Sequence, residues 1–214
     1  MHALRRWTGR TFALGLVVAA AEGAPPASGL TLDSLASGGS ITTGVLTLSN
    51  FEIAIGGDLL LDLTNYPVQV LADGFRLSGP LSALLGDAGS LLLSYDVSSS
   101  DPGGILAVSL FADGNVIGAG AQAYVAESLF GPGNAPLGSL FVYSVTGGGE
   151  QVLDTLALAA PTWVHVVKSV NVRSGTFAAV PFVDQHFVAV PEPLSLALMA
   201  TGLAGLARAG RGRP

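Results

Sequence analysis

The chain has 214 residues, half of them hydrophobic and only 11% charged, with 29 glycines and no cysteine. The missing cysteine excludes disulfide scaffolds, thiol nucleophiles and thiolate metal sites together. High hydrophobicity with little charge argues against disorder and for a folded, β-rich body. Six of the nine basic residues (Arg5, Arg6, Arg10, Arg208, Arg211 and Arg213) flank the two ends. Between Leu30 and Phe187 only Arg76, Lys168 and Arg173 are basic, against thirteen acids. A body this acidic repels nucleic acid and anionic membrane surfaces and attracts cations.

Residues 1–21 have the layout of a secretory signal peptide: Arg5, Arg6 and Arg10, an apolar run from Thr11, then Ala19-Ala20-Ala21 as a small-x-small cleavage site. Cleavage is expected after Ala21, with Ala19 as the other small residue. Trp7-Thr8-Gly9 does not continue Arg5-Arg6 as a twin-arginine motif, so the general secretion machinery is the expected route. Leu30 to Gly39 reads as a linker or short first element.

Residues 30–188 read as one body. Leu46 and Leu48 alternate, and the apolar phase then shifts to Phe51, Ile53 and Ile55, which predicts a strand with a bulge at Ser49-Asn50. Weaker strands at Val68, Val70 and Phe75–Leu77 surround Asp73-Gly74, a hairpin signal. Leu91, Leu93, Tyr95 and Val97 alternate with Leu92, Ser94 and Asp96. Ile105–Ala112 and Val116–Glu127 flank Asp113-Gly114-Asn115, which predicts a second hairpin. Leu137–Val145 ends at Gly147-Gly148-Gly149, and Val152–Ala159 suits a strand or a short helix. Trp163–Arg173 alternates, and Ser174-Gly175-Thr176 turns the chain into Phe177–Val188. The expected fold is all-β: an antiparallel Greek-key β-sandwich of about nine strands, with an N-terminal signal helix and a C-terminal hydrophobic helix.

Residues 189–214 form the tail. Pro191 and Pro193 lock φ and lack N–H groups, so Val190-Pro191-Glu192-Pro193 stays extended. The uncharged run Leu194–Leu206 would span about 20 Å as a helix, short of the ~30 Å bilayer core. Arg208, Arg211 and Arg213 supply the positive charge expected on the cytoplasmic side. The tail resembles a PEP-CTERM sorting signal, carried here by Pro191, Glu192, Pro193 and the three arginines, which are spaced by small residues instead of contiguous. The resemblance implies a Gram-negative bacterium, transient anchoring in the inner membrane facing the periplasm and cleavage by an exosortase. It further implies delivery to the cell surface or extracellular matrix.

The body is similar to a group of secreted PEP-CTERM proteins. The marks are Gly38-Gly39-Ser40-Ile41, Leu48-Ser49-Asn50-Phe51, Leu93-Ser94-Tyr95-Asp96-Val97, Val125-Ala126-Glu127-Ser128, Val167-Lys168 and Gln185. That resemblance implies no activity.

Catalytic signatures are missing. His165 lies mid-strand and reads as structural, and His186 reads as solvated. No Gly-x-Ser-x-Gly elbow or His-Glu-x-x-His occurs. Gly118-Ala119-Gly120 sits in a strand pattern with no helix after it, so it reads as tight packing, not a phosphate loop. Asp96, Asp101, Glu127 and Glu150 are the carboxylates from which a glycosidase pair could be drawn. Asp96, Asp101 and Asp113-Gly114-Asn115 offer calcium ligands without a twelve-residue calcium loop, and no other cofactor or metal is expected. The expected function is a non-enzymatic exported surface or matrix protein. The alternative is a carbohydrate-binding or glycan-cleaving sandwich acting on extracellular polysaccharide. Exposed aromatics gathered on one sheet face would favour the alternative, but Trp163, Tyr95, Tyr124, Tyr143 and Phe111 fall in apolar alternation and are expected in the core.

Overall fold

A computed structural model describes residues 29–189. The expected signal peptide with Ala19 and Ala21, and the expected sorting tail with Pro191, Glu192, Pro193, Arg208, Arg211 and Arg213, lie outside the described residues. Among the described residues no helix is long and apolar enough to cross a membrane.

A short helix, α1 (Leu32–Ala36), comes first, capped by a reciprocal Thr31–Ser34 capping box. Its Leu32 and Leu35 are buried, so the Leu30–Gly39 segment is a packed element and not a linker. The strands follow as β1 (Ile41–Thr43), β2 (Leu46–Gly57), β3 (Val68–Leu71), β4 (Gly74–Ser78) and β5 (Ser82–Leu84). Next come β6 (Ala88–Ser99), β7 (Ile105–Ala112), β8 (Asn115–Ile117), β9 (Gln122–Gly131) and β10 (Ala135–Val145). The last are β11 (Gly149–Gln151), β12 (Leu153–Ala157), β13 (Trp163–Arg173), β14 (Phe177–Ala179) and β15 (Phe182–Ala189). Among the described residues fifteen strands replace the expected nine. Six of them span only three or four residues, too short to leave an alternation in the sequence.

All pairings within the three sheets are antiparallel. A seven-stranded sheet runs β1-β2-β6-β13-β9-β10-β11, a five-stranded sheet β12-β7-β15-β4-β3, and a small third sheet β5-β14-β8. The two large sheets form a sandwich-like pair sharing one core. Phe51 stacks on Tyr95 from the larger sheet, and Phe75 of the smaller sheet meets Tyr95 edge-on at 5.6 Å. Offset and edge-on contacts of this kind suit the ring quadrupole and add to the area buried.

Several sequence expectations hold. The register of β2 against β6 slips between Ser49 and Glu52, and Asn50 takes φ 57°, so the phase shift was a bulge. The chain β3-turn-β4 is a hairpin with Ala72 and Asp73 as its turn. Leu153–Ala157 is strand, not helix.

Two connections were misread. β7 pairs with β12 and β15, not with the strand after Asp113-Gly114-Asn115, so this segment is a crossing from one large sheet toward the other. Gly114 serves close packing instead of a turn: a Cβ there would sit 2.8 Å from Ser144 Cβ and 3.2 Å from Ala123 Cβ. Gly118 and Gly120, expected within a strand, lie in the turn between β8 and β9.

Candidate functional site

The larger sheet has an inner and an outer face because successive side chains alternate. On β13, Val164, Val166, Lys168, Val170 and Val172 point inward, while Trp163, His165, Val167, Ser169, Asn171 and Arg173 point outward. The same alternation sends Ser90, Ser94 and Asp96 of β6, Tyr124, Ser128 and Phe130 of β9, and Phe141 and Tyr143 of β10 to the outer face. Phe111 points out from the smaller sheet. Of the five aromatics expected in the core, only Tyr95 is there, fully buried. Alternation fixes which residues share a face but not which face is inside. With so many alanines, leucines and valines on both faces, the outward aromatics look like core.

The outer face is organised at both ends. At one end Trp163 lies nearly parallel to His165, ring centroids 6.3 Å apart at 18°, and Phe130 flanks the histidine at 6.4 Å. His165 Nδ1 is 2.8 Å from Asp96 Oδ1, and Asn50 Nδ2 donates to Asp96 Oδ2 at 2.8 Å. The bulge performs this last step, because its left-handed residue turns Asn50 toward Asp96. Left-handed backbone is tolerated by asparagine better than by most residues. Beside the rings, Phe130, Asn134, His165 and Val167 line a cleft of about 270 Å³. At the other end Tyr124, Gln122, Ser90, Asn171 and Arg173 line an open cleft of about 320 Å³. Phe141, 44% exposed, touches Tyr124 at 5.8 Å and Tyr143 at 5.6 Å. Between the ends lie Ser94, Ser128 and Ser169, interleaved with Leu92, Ala126 and Val167. From Trp163 to Arg173 the face runs about 33 Å along β13.

A second constellation lies inside. Lys168 and Glu127 are directly paired across β13 and β9, and Gln185 reaches them from β15 of the opposite sheet. All three are buried, at 1%, 2% and 0% exposure. Lys168 Nζ donates to Gln185 Oε1. Gln185 Nε2 donates to Glu127 Oε1 at 3.2 Å and to the Ser109 carbonyl at 3.3 Å. Glu127 Oε2 lies 3.1 Å from Lys168 Nζ, an ion-pair distance, although it makes no hydrogen bond of good geometry. Burial pushes the Glu127 carboxyl up and the Lys168 ammonium down, each opposed by the attraction of the other. Burial also pushes the Tyr95 phenol well up, with the Glu127 charge adding to it, and its hydroxyl finds no partner among the described residues.

The remaining candidates do not assemble. Asp96 faces outward and Glu127 inward on the same sheet, so they cannot flank one glycosidic bond. Asp101 is buried and accepts from the Gly103 N–H at 2.6 Å, while Glu150 lies exposed on β11. Among the described residues no three carboxylates or histidines gather as a metal site, so the calcium candidates Asp96, Asp101 and Asp113 are not brought together as one. His186 faces out from the smaller sheet and is held by Asp73 at 2.8 Å.

No family model and no curated protein matches the chain. Among solved structures it is similar to TmCBM61 in complex with β-1,4-galactotriose, at 15% identity and TM-score 0.37, over 64% of this chain and 88% of that one. It is also similar to the bacteriophage CBA120 tailspike protein 4 enzymatically active domain, at 16% identity and TM-score 0.29, over 67% of this chain and 19% of that one. A third is xylanase 10C of Cellvibrio japonicus with xylopentaose, at 12% identity and TM-score 0.24, over 63% and 27%. At these TM-scores the likeness carries no argument.

Proposed function

We propose that the body is a glycan-binding module of Greek-key sandwich type, and that the outer face of its larger sheet binds a neutral extracellular polysaccharide. One observation supports this above the others: rings stand at both ends of that face, with small hydroxyl side chains between them. Aromatic rings offer flat apolar surface to sugar C–H groups, and hydroxyl and amide side chains offer donors and acceptors to sugar hydroxyls. The acidic body disfavours an anionic polymer. The Asp96 carboxylate of this face is engaged by His165 and Asn50, which supports a role in binding over cleavage. Trp163 and Phe130 form the first ring platform, oriented by the Asn50–Asp96–His165 chain, and Phe141 with Tyr124 forms the second.

The sequence further supports an exported surface or matrix protein, retained at the inner membrane through the tail and released by an exosortase near Pro191-Glu192-Pro193. Export places the module beside extracellular polysaccharide.

Trp163 is the only tryptophan among residues 29–189, so its fluorescence reports on the first platform. Titration with neutral galactan, xylan and glucan should change that emission saturably with at least one polymer. Phe141→Ala and Phe130→Ala should each weaken binding about tenfold, equivalent to about 1.4 kcal/mol. No response to any neutral polymer, with the fold intact by circular dichroism, would overturn the reading.

A further inference from the structure

We propose that Lys168 and Gln185 become joined by an intramolecular isopeptide bond, formed by transamidation in the folded core with Glu127 as the proton shuttle. The two residues lie on opposite sheets, so the bond would staple the sandwich together. It is independent of the glycan-binding face, which lies on the other side of β13.

The geometry supplies each reacting group. Lys168 Nζ touches Gln185 Oε1, one C=O bond from the carbon it would attack. Glu127 spans nucleophile and leaving group: Oε2 is 3.1 Å from Nζ, which must lose protons, and Oε1 is 3.2 Å from Nε2, which must gain one. The Ser109 carbonyl holds Nε2 from a further side at 3.3 Å, fixing the amide plane. The Phe75 ring lies 5.6 Å from Nζ, and buried apolar residues surround the cluster. Excluding water in this way protects the reacting groups from competing hydrolysis.

The reaction balances without another reagent. Nζ first gives one proton to the Glu127 carboxylate, a transfer that burial eases by disfavouring both charges, against the attraction between them. The freed lone pair attacks Gln185 Cδ, and the C=O π electrons move to Oε1. Glu127 then protonates Nε2. As the carbonyl re-forms, the Cδ–Nε2 bond breaks and ammonia departs. The new amide nitrogen returns its surplus proton to Glu127. An ammonium, a carboxylate and an amide have become a secondary amide, a carboxylic acid and ammonia, with no net charge on either side. The product core contains no ions, which removes the desolvation penalty of a buried pair.

The experiment is intact-mass spectrometry of the folded, purified protein, followed by tryptic mapping. The expected mass is that of the chain less one ammonia. Trypsin should fail at Lys168 but cut at Arg173, leaving the segment that ends at Arg173 covalently bound to the segment that begins at Ser174. Glu127→Gln should form the bond at least about a hundredfold more slowly, the scale of general acid–base assistance. Lys168→Arg should keep the full mass. A folded wild-type protein of full mass that trypsin cuts at Lys168 after denaturation would overturn the proposal and leave a plain ion pair. Bond formation at the wild-type rate in Glu127→Gln would overturn the shuttle. If Glu127→Gln fails to fold, the wild-type mass and map still decide whether the bond exists.

Discussion

In the core before any bond forms, Lys168 and Glu127 depend on each other, as buried ions must. Replacing Lys168 with methionine leaves the carboxylate buried without its counter-ion, a change that costs about 3–5 kcal/mol. The variant should also acquire a distinctive pH dependence. Without Lys168, burial still raises the Glu127 pKa and the main opposing attraction is gone. The folded state then holds its proton to a higher pH than the unfolded chain, where an ordinary glutamate titrates near 4.5. A group with a raised folded pKa stabilises below its unfolded value and loses that contribution as pH rises through the folded value. Urea midpoints of Lys168→Met should therefore fall steadily from acidic to neutral pH. A midpoint that stays flat or rises over that range would show that Glu127 is not held protonated by burial.

At the scale of elements, the crossing from β7 toward the larger sheet rests on one glycine. Gly114→Ala introduces a Cβ against Ser144 and Ala123, neither of which has a long side chain to swing aside. Overpacking of this kind costs about 1–3 kcal/mol. Denaturant unfolding should show that loss with an unchanged slope, and an unchanged midpoint would mean that β10 can give way. This glycine also marks where sequence reading stopped. Asp-Gly-Asn between two alternating runs is a hairpin signal, yet the glycine is needed for lack of a side chain, not for positive φ. The β2 bulge was legible because an extra residue changes the apolar phase, and Ser49-Asn50 sits at that change. The outer-face rings were not, since Trp163 and Tyr124 alternate with valines and alanines that serve equally well as either face. Glu127, Lys168 and Gln185 stood out as separate marks. Their convergence depends on which strands lie opposite across the sandwich, and periodicity along one strand carries no such information.

For the whole molecule, the proposed sorting tail is expected to act separately from the body. Under the proposed sorting role the apolar run after Pro193 is a transient anchor, since a run this short is expected to hold weakly and leucines contribute only about 0.3–0.6 kcal/mol each at the centre of a membrane helix. Replacing Pro191, Glu192 and Pro193 with alanine should leave an uncleaved, membrane-associated precursor whose body still folds. Intact mass of protein recovered from hosts with and without an exosortase tests this. Full-length chain ending at Pro214 from a host with active exosortase would defeat it.

The position of β15 has a mechanical consequence. It is the last strand before the tail, yet it lies inside its sheet, hydrogen-bonded to β7 on one side and β4 on the other. Tension arriving from beyond Ala189 therefore enters the molecule through an interior strand. It cannot peel a free edge, and must load the ladders on both flanks together. Through Gln185 the load also reaches Lys168, midway along the strand at the middle of the opposite sheet. A protein tethered by this end would transmit drag into the centre of both layers.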